Sequence, residues 1–518
     1  MNTPSKNVIL VLLVIVIFNV FFGIGGVPLT DPDEPVYAET AREMIEFQDY
    51  LSPRIFNEFW YDKPPMYYWL VAASFHIFGV NEFGARFPAA SMAVLTVLLV
   101  YFSMFKLFNE RAAFYAALVL GTCINIFYMG KASVTDTTLM FFMTAALLAF
   151  LHEQYWGMYL CMGLATLTKG PIGIVFPGAI IFLYLAISGQ LKRLSKMHIL
   201  PGILICFLVA GPWYYLMYRV HGMEFIDTFI GFHNITRFTT PEHPTRVLWY
   251  YYLPVIILGI FPWTGILIQS VRATISESRS RDLHILLFMQ VWWIFVLVFF
   301  SISQTKLVSY ILPLFPALAI MIGWNIDRMM KENQGRYTSW ACGSGLMFIL
   351  MAAGWAYGGT LMPELTFGGY MLGAITLLLG IGIFVALMVY RDAVLAVYLH
   401  VATGLLTMMV AFAFLVPLVQ DQFCVKTIAL AYTQQATDSN RVLYVEKFIR
   451  PGFMFYTHKP GIEITTAKDE SLAAARADKR PKYAVMRKTF YERIKKEINA
   501  ENWQLIKEKD GICIYMSR

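Results

Sequence analysis

The chain has 518 residues, 58% of them hydrophobic and 14% charged, and 41 Lys and Arg against 34 Asp and Glu leave a net charge of +7. Soluble domains carry about 25% charged residues, so this composition excludes an ordinary soluble enzyme. The apolar residues run in long blocks without strand alternation, which excludes a β-barrel. The chain reads as an all-α polytopic membrane protein, because backbone facing lipid must satisfy its own hydrogen bonds.

Hydropathy predicts about thirteen spans, at 8–27, 84–105, 110–129, 137–152, 155–168, 170–188, 200–219, 248–271, 284–302, 307–325, 336–356, 369–390 and 393–418. Residues 8–23 have the length of a signal-peptide core, but no small-x-small site closes them, and an uncleaved first span is expected. The short loops rich in Lys and Arg hold Lys192-Arg193-Lys196, Arg272-Arg279-Arg281 and Arg328-Lys331-Arg336, with Lys106 and Arg111 as a weaker fourth. All fall on the side of the N-terminus, which is therefore cytoplasmic. Residues 28–83, the 220–247 loop and everything after 418 lie outside, in the periplasm of a Gram-negative cell. Lys131, Lys169 and Lys306 are isolated cations on that outer side, placed for a local partner or for snorkelling to the interface.

The first outer loop is the most polar part of the membrane region. Asp33 or Asp31 is expected to cap a helix running to about Gln48, with Glu34 in its first turn. Pro64-Pro65 opens a second, apolar helix that can lie along the membrane surface. The 220–247 loop holds His221, Asp227, His233, Arg237, His243 and Arg246 ahead of an aromatic run, Trp249-Tyr250-Tyr251-Tyr252.

Two domains follow: a transmembrane domain over 1–418 and a soluble α/β domain over 419–518. In the second, 421–437, 469–478 and 490–498 read as helices and 441–448, 462–467, 482–488 and 511–516 as strands. It holds 18 Lys and Arg against 12 Asp and Glu, so +6 of the +7 resides there. Such a surface attracts anionic head groups or is simply solvated. Of the six cysteines, only Cys424 and Cys513 fall in this tail, where a disulfide between them is an open option. The chain contains no P-loop, HExxH, nucleophile elbow or dinucleotide-binding fingerprint, and nothing in it points to nucleic acid.

A carboxylate at a membrane face can act on or orient an acceptor hydroxyl, and Lys, Arg and Tyr can hold a phosphate leaving group as its charge grows. That combination suits group transfer from a lipid phosphate. Its rivals are a helix cap for Asp33 and an ion pair for Asp62 and Lys63, a carrier or flippase for lipid-linked sugars, and an assembly or sensor protein acting through its tail.

The chain contains Asp31-Pro32-Asp33-Glu34 with Tyr37 and Arg42-Glu43, Asp62-Lys63-Pro64-Pro65, Phe83-Gly84-Ala85-Arg86, Thr168-Lys169-Gly170-Pro171, Trp249-Tyr250-Tyr251 with Leu253-Pro254, and Lys306-Leu307-Val308-Ser309-Tyr310. In these pieces, taken in order over residues 8–325, it resembles the GT-C membrane glycosyltransferases, specifically the protein O-mannosyltransferase and lipid A aminoarabinose transferase branch. The resemblance implies a GT-C fold and a polyprenyl (undecaprenyl) phosphate sugar donor. It also implies inverting transfer to a periplasmic acceptor, either lipid A or a protein Ser or Thr. It casts Asp33 as the catalytic aspartate and Lys63, Arg237, Lys306 and Tyr310 as the donor-phosphate residues, with Glu34 and Tyr37 lining the cavity. The resemblance fixes no cofactor and leaves a divalent metal open, with Asp62, His233 and His243 as its candidate ligands. Where aminoarabinose transferases carry an arginine just before the tyrosine of the first motif, this chain has Val36.

Overall fold

The computed structural model describes residues 3–236, 248–277, 283–332, 337–436, 438, 440–467 and 469–517. The chain forms two compact units. The first comprises Met1–Phe22, Tyr61–Tyr67 and Phe87–Ala413, and the second Gly23–Trp60, Tyr68–Arg86 and Phe414–Arg518.

The first unit is helical. Among the described residues, seven helices are long and apolar enough to cross a membrane. The number is nine if two bent pairs, Glu110–Thr122 with Ile124–Gly130 and Tyr252–Gly259 with Thr264–Ser276, each count as one span. The apolar helices Lys6–Phe21, Asp136–Leu151 and Ile172–Ile187 have 16 residues each. Their length of about 24 Å falls short of the ~30 Å hydrocarbon core. The sequence-based count of about thirteen includes these three and Tyr155–Lys169.

The helix Phe315–Glu332 is buried on nearly every side, from Phe315 to Asp327. The helix Ile199–Ile226, by contrast, leaves Leu200, Ile203, Phe207 and Leu208 exposed, as lipid-facing residues are. Lipid gives no hydrophobic drive for helices to associate, so close approach and hydrogen bonds must do so. Gly323 supplies the first: a Cβ there would lie 2.3 Å from the backbone nitrogen of Ala116. Trp263 Nε1 donates to Thr122 Oγ1 at 3.0 Å, and Asn325 Nδ2 to Ser270 Oγ at 3.1 Å. At one end of the bundle Asp327 receives Arg111 Nε (2.8 Å), Asn109 Nδ2 (2.9 Å) and Lys331 Nζ (2.6 Å). Arg328 pairs with Glu277 at 2.8 Å beside it. Loops assigned to one side by their positive charge thus do meet.

In the second unit a five-stranded sheet runs Ile462–Ile464, Val442–Glu446, Lys482–Arg487, Ile512–Met516, Gln504–Lys509. The first three strands are parallel and the last two antiparallel. Alternation sends Ala484, Met486, Cys513 and Tyr515 to one face, under Leu472, Phe490 and Ile494 of the helices Asp469–Ala477 and Lys488–Ile494. It sends Tyr483, Val485, Ile512 and Ile514 to the other, under Ile428, Tyr432 and Phe453 of the helices Lys426–Gln435 and Arg450–Thr457. The same unit holds the helix Asp33–Glu46, a hairpin pairing Arg54–Ile55 with Glu58–Phe59, and most of the helix Met66–Phe78, which Pro64-Pro65 precedes as expected.

Several local expectations are corrected. The N-cap of Asp33–Glu46 is Pro32, with no side-chain cap, because the Asp31 carboxylate is engaged elsewhere. The strand Gln504–Lys509 is largely exposed and charged and gave no alternation to read, while Arg450–Thr457 starts with a Pro-Gly pair that reads as a loop. Cys424 and Cys513 are both buried free thiols.

Replacing Gly323 with Ala should lower the unfolding midpoint of the detergent-solubilised protein, at a cost of about 1–3 kcal/mol for overpacking. An unchanged midpoint would show that the contact with Ala116 yields freely.

Candidate functional site

The polar residues of the first outer loop are organised by ion pairs. Glu34 is 5% exposed and Arg86 is 3% exposed. Arg86 Nε and Nη2 reach the two Glu34 oxygens at 2.8 and 2.7 Å, a two-point pair of the strong kind. Glu34 Oε2 also accepts from the backbone of Thr30 at 2.8 Å, closing the turn that leads into the helix Asp33–Glu46. Asp33 and Tyr37 lie on that helix four residues apart, so they share a face. The Tyr37 ring packs against that of Tyr68, with centroids 5.9 Å apart.

Further along the helix, Glu39 and Glu43 are both fully buried. Arg42 holds Glu39 at 2.5 and 2.8 Å and Glu46 at 3.0 Å, and its Nη1 lies 2.5 Å from His458 Nδ1. Glu43 accepts from the backbone nitrogen of Asn57 at 3.1 Å. Burial first, and then the charge of Glu39, push the Glu43 carboxyl up to about 8.

In the first unit, Lys63 Nζ pairs with Asp62 Oδ1 at 2.8 Å, and both side chains are mostly buried. Tyr61 beside them meets His221 Nδ1 through its hydroxyl at 3.1 Å. Tyr67, one helical turn past Lys63, reaches Ser133 at 3.3 Å. Three residues after Ser133, Asp136 opens the helix Asp136–Leu151 and receives Lys169 Nζ at 2.6 Å. The same ammonium lies 5.0 Å from the centre of the Tyr310 ring, within range of a cation–π contact.

The structure thus brings Tyr310 to Lys169, which the sequence marked as an isolated cation but not as a site residue, and Lys169 to Asp136, which the sequence reading did not choose. Lys306 is 2% exposed, and its ammonium donates to the carbonyls of Ser301 (2.7 Å), Ser303 (2.5 Å) and Phe300 (3.4 Å), the end of the helix Leu283–Ile302. Lys131 is used alike, on the carbonyls of Val20 and Phe22 at 2.7 and 2.8 Å. A signal for Asp136 was present, since a carboxylate at the start of an apolar helix calls for a named partner.

Arg237 and His243 lie outside the described residues, as does the His233 side chain. Among the described residues no group of three or more His, Cys, Asp or Glu could hold a metal ion, and the Asp62 carboxylate pairs with the Lys63 ammonium. The described residues therefore do not form a metal site by themselves.

Residues 62–216 match the family model described as dolichyl-phosphate-mannose-protein mannosyltransferase. An uncharacterised protein of Aquifex aeolicus is 32% identical over 68% of this chain and 80% of its own length. The undecaprenyl phosphate-alpha-4-amino-4-deoxy-L-arabinose arabinosyl transferase of Pectobacterium carotovorum is 31% identical over 68% of this chain and 66% of its own. A second Aquifex relative is covered over 63% of its length and the Aeromonas hydrophila arabinosyl transferase over 58%, so the chain spans less than two thirds of several of the relatives it matches. The structure of ArnT from Cupriavidus metallidurans bound to undecaprenyl phosphate superposes with a TM-score of 0.82 at 21% identity, over 99% of this chain and 98% of that one.

The raised Glu43 pKa has a consequence for stability. The folded chain holds this proton more tightly than the unfolded chain, where the ordinary value is 4.5. The contribution is full below that value and is lost as pH rises through about 8. Unfolding midpoints of the wild type should fall between pH 5 and 9 more steeply than those of Glu43→Gln; parallel curves would remove Glu43 as the source.

Proposed function

We propose that this chain, which belongs to the GT-C membrane glycosyltransferase family of protein O-mannosyltransferases and undecaprenyl phosphate-aminoarabinose transferases, moves a sugar from a polyprenyl phosphate donor to an acceptor outside the cytoplasm. The donor class is undecaprenyl phosphate-linked aminoarabinose or a related sugar, and the acceptor is lipid A. The site residues and the tail after 418 face the periplasm. The observation that carries this reading is the polar frame of the first outer loop, with Asp33 at its helix start and the Asp62-Lys63 pair after it. The activity for which the Pectobacterium relative is named and the undecaprenyl phosphate of the ArnT structure support the donor class.

The reaction is a displacement at the anomeric carbon. An acceptor oxygen forms the new bond on one face as the bond to the phosphate oxygen breaks on the other, so configuration inverts. The departing phosphate changes from a diester with one charge to a monoester with nearly two, so a cation beside it is worth more in the transition state than in the ground state. Lys63 and Arg237 supply positive charge there and Tyr310 a hydroxyl. Lys169 adds a cation beside Tyr310, and Lys306, seated on the carbonyls at the end of Leu283–Ile302, holds the turn leading to it. Asp33 orients the acceptor, taking its proton if the acceptor is a hydroxyl. A lipid A phosphate is already ionised, and Asp33 then supports the developing positive charge of the sugar. Glu34 fixes the helix start and Tyr37 shares the face of Asp33. Asp62 pairs with Lys63 and, with His233 and His243, would supply the ligands for any divalent ion.

Asp33→Asn should lower transfer by about 10²–10⁴-fold with normal amounts of protein in the membrane; full activity would overturn its role. Lys63→Ala should weaken donor binding by about 1.5–3 kcal/mol, and unchanged affinity would remove it from the phosphate site. The name of the matched family favours a second acceptor, a protein, which the resemblance narrows to Ser or Thr. Mass spectra of lipid A and of glycoproteins from cells with and without the chain separate the two. A carrier would move labelled donor without releasing free polyprenyl phosphate.

A further inference from the structure

Asp31 has no part in the transfer just described, yet it is 7% exposed and bound on every side. Its Oδ2 accepts from the backbone nitrogen of Val425 at 2.8 Å and its Oδ1 from that of Gly452 at 3.2 Å. These amides stand at the N-termini of Lys426–Gln435 and Arg450–Thr457, whose partial positive charge suits a carboxylate. The Asp31 amide donates to the Phe423 carbonyl at 2.9 Å, and the Leu29 amide to the Tyr456 hydroxyl at 2.9 Å. Gly452 leaves no room for a side chain, since a Cβ there would lie 2.2 Å from Asp31 Oδ1. Burial also holds the Asp31 pKa well above the usual carboxylate range. Two residues further on, Asp33 begins its helix.

We infer that Asp31 is a positioning residue through which the α/β tail sets the start of the helix carrying Asp33 and Tyr37, so that the tail acts in transfer without touching substrate. The inference rests on the reading of Asp33 given above. Two amides more than 390 residues away in sequence grip one carboxylate, and only Pro32 separates it from Asp33. Releasing the grip leaves the helix start free to shift, and a displacement of about 1 Å costs about 10²-fold in rate.

The test uses the full-length protein in proteoliposomes with undecaprenyl phosphate-aminoarabinose and lipid A. Asp31→Ala and Gly452→Ala should each lower kcat by about 10- to 100-fold with donor KM unchanged. Asp31→Asn, which keeps the volume and one acceptor oxygen, should fall between them and wild type. The double alanine variant should be no worse than the poorer single, because the new methyl group occupies the space the carboxylate vacates. Wild-type kcat in both single variants, a loss confined to KM, or losses that multiply in the double variant would overturn the inference. Where the alanine variants do not reach wild-type amounts in the membrane, Asp31→Asn decides by the same kcat and KM criteria. An inactive wild type, or a fully active Asp33→Asn run alongside, sinks the site reading instead and this inference with it.

Discussion

The Arg86 guanidinium is the interaction on which the outer loop depends. All five of its N–H groups are used: two on Glu34, and three on the carbonyls of Ile24, Val27 and Pro28 at 2.8, 2.6 and 2.7 Å. A buried arginine is tolerated only when its donors are matched this completely, because removing one partner of such a pair costs about 3–5 kcal/mol. One side chain at the start of a long helix therefore fixes both where the preceding chain turns and where the helix Asp33–Glu46 begins. The Asp-Pro-Asp-Glu run and the Phe-Gly-Ala-Arg run, some fifty residues apart, are two ends of one structural contact.

The helix Asp33–Glu46 and the turn before it bury four carboxyl groups, and each has its own means of compensation. Asp31 takes two backbone amides, Glu34 takes Arg86, and Glu39 takes Arg42. Glu43 has backbone donors but, among the described residues, no paired cation and sits next to Glu39, and its pKa rises until it holds its proton near neutral pH. Desolvated acids of this kind stabilise a fold little. What they add is a fixed geometry, and electrostatic catalysis requires groups aimed before the reaction begins.

Much of this was legible in the sequence. Blocks of apolar residues over 518 positions admit few other architectures, and clustered Lys and Arg sorted the loops that Asp327 then joins. Pro64-Pro65 marked the start of Met66–Phe78 because proline suits a first helical turn. Pairing was not legible. Asp31 read as a helix cap because capping is local, whereas its partners, Val425 and Gly452, lie in the tail. Glu34 was read as lining a cavity, and its companion Arg86 was visible only as part of a motif. The glycines at 323 and 452 gave no signal either, since what demands them is a neighbour's backbone or carboxylate brought close by the fold.

The three outer-side lysines make the point about chemistry most directly, because residue type and predicted location were the same for all. Lys131 and Lys306 lie on carbonyls at the C-terminal ends of Lys6–Phe21 and Leu283–Ile302, where an ammonium meets the negative end of the helix dipole. An ammonium seated this way must give up those carbonyls before it can hold a phosphate. Lys169 pairs with one carboxylate and lies over the Tyr310 ring. It can shift its remaining donors toward a new anion without abandoning a helix end. On the proposed reading Lys169, from the Thr-Lys-Gly-Pro turn, is better placed than Lys306 to answer charge that appears beside Tyr310, and the proposed part of Lys306 is to hold the backbone that leads to the tyrosine.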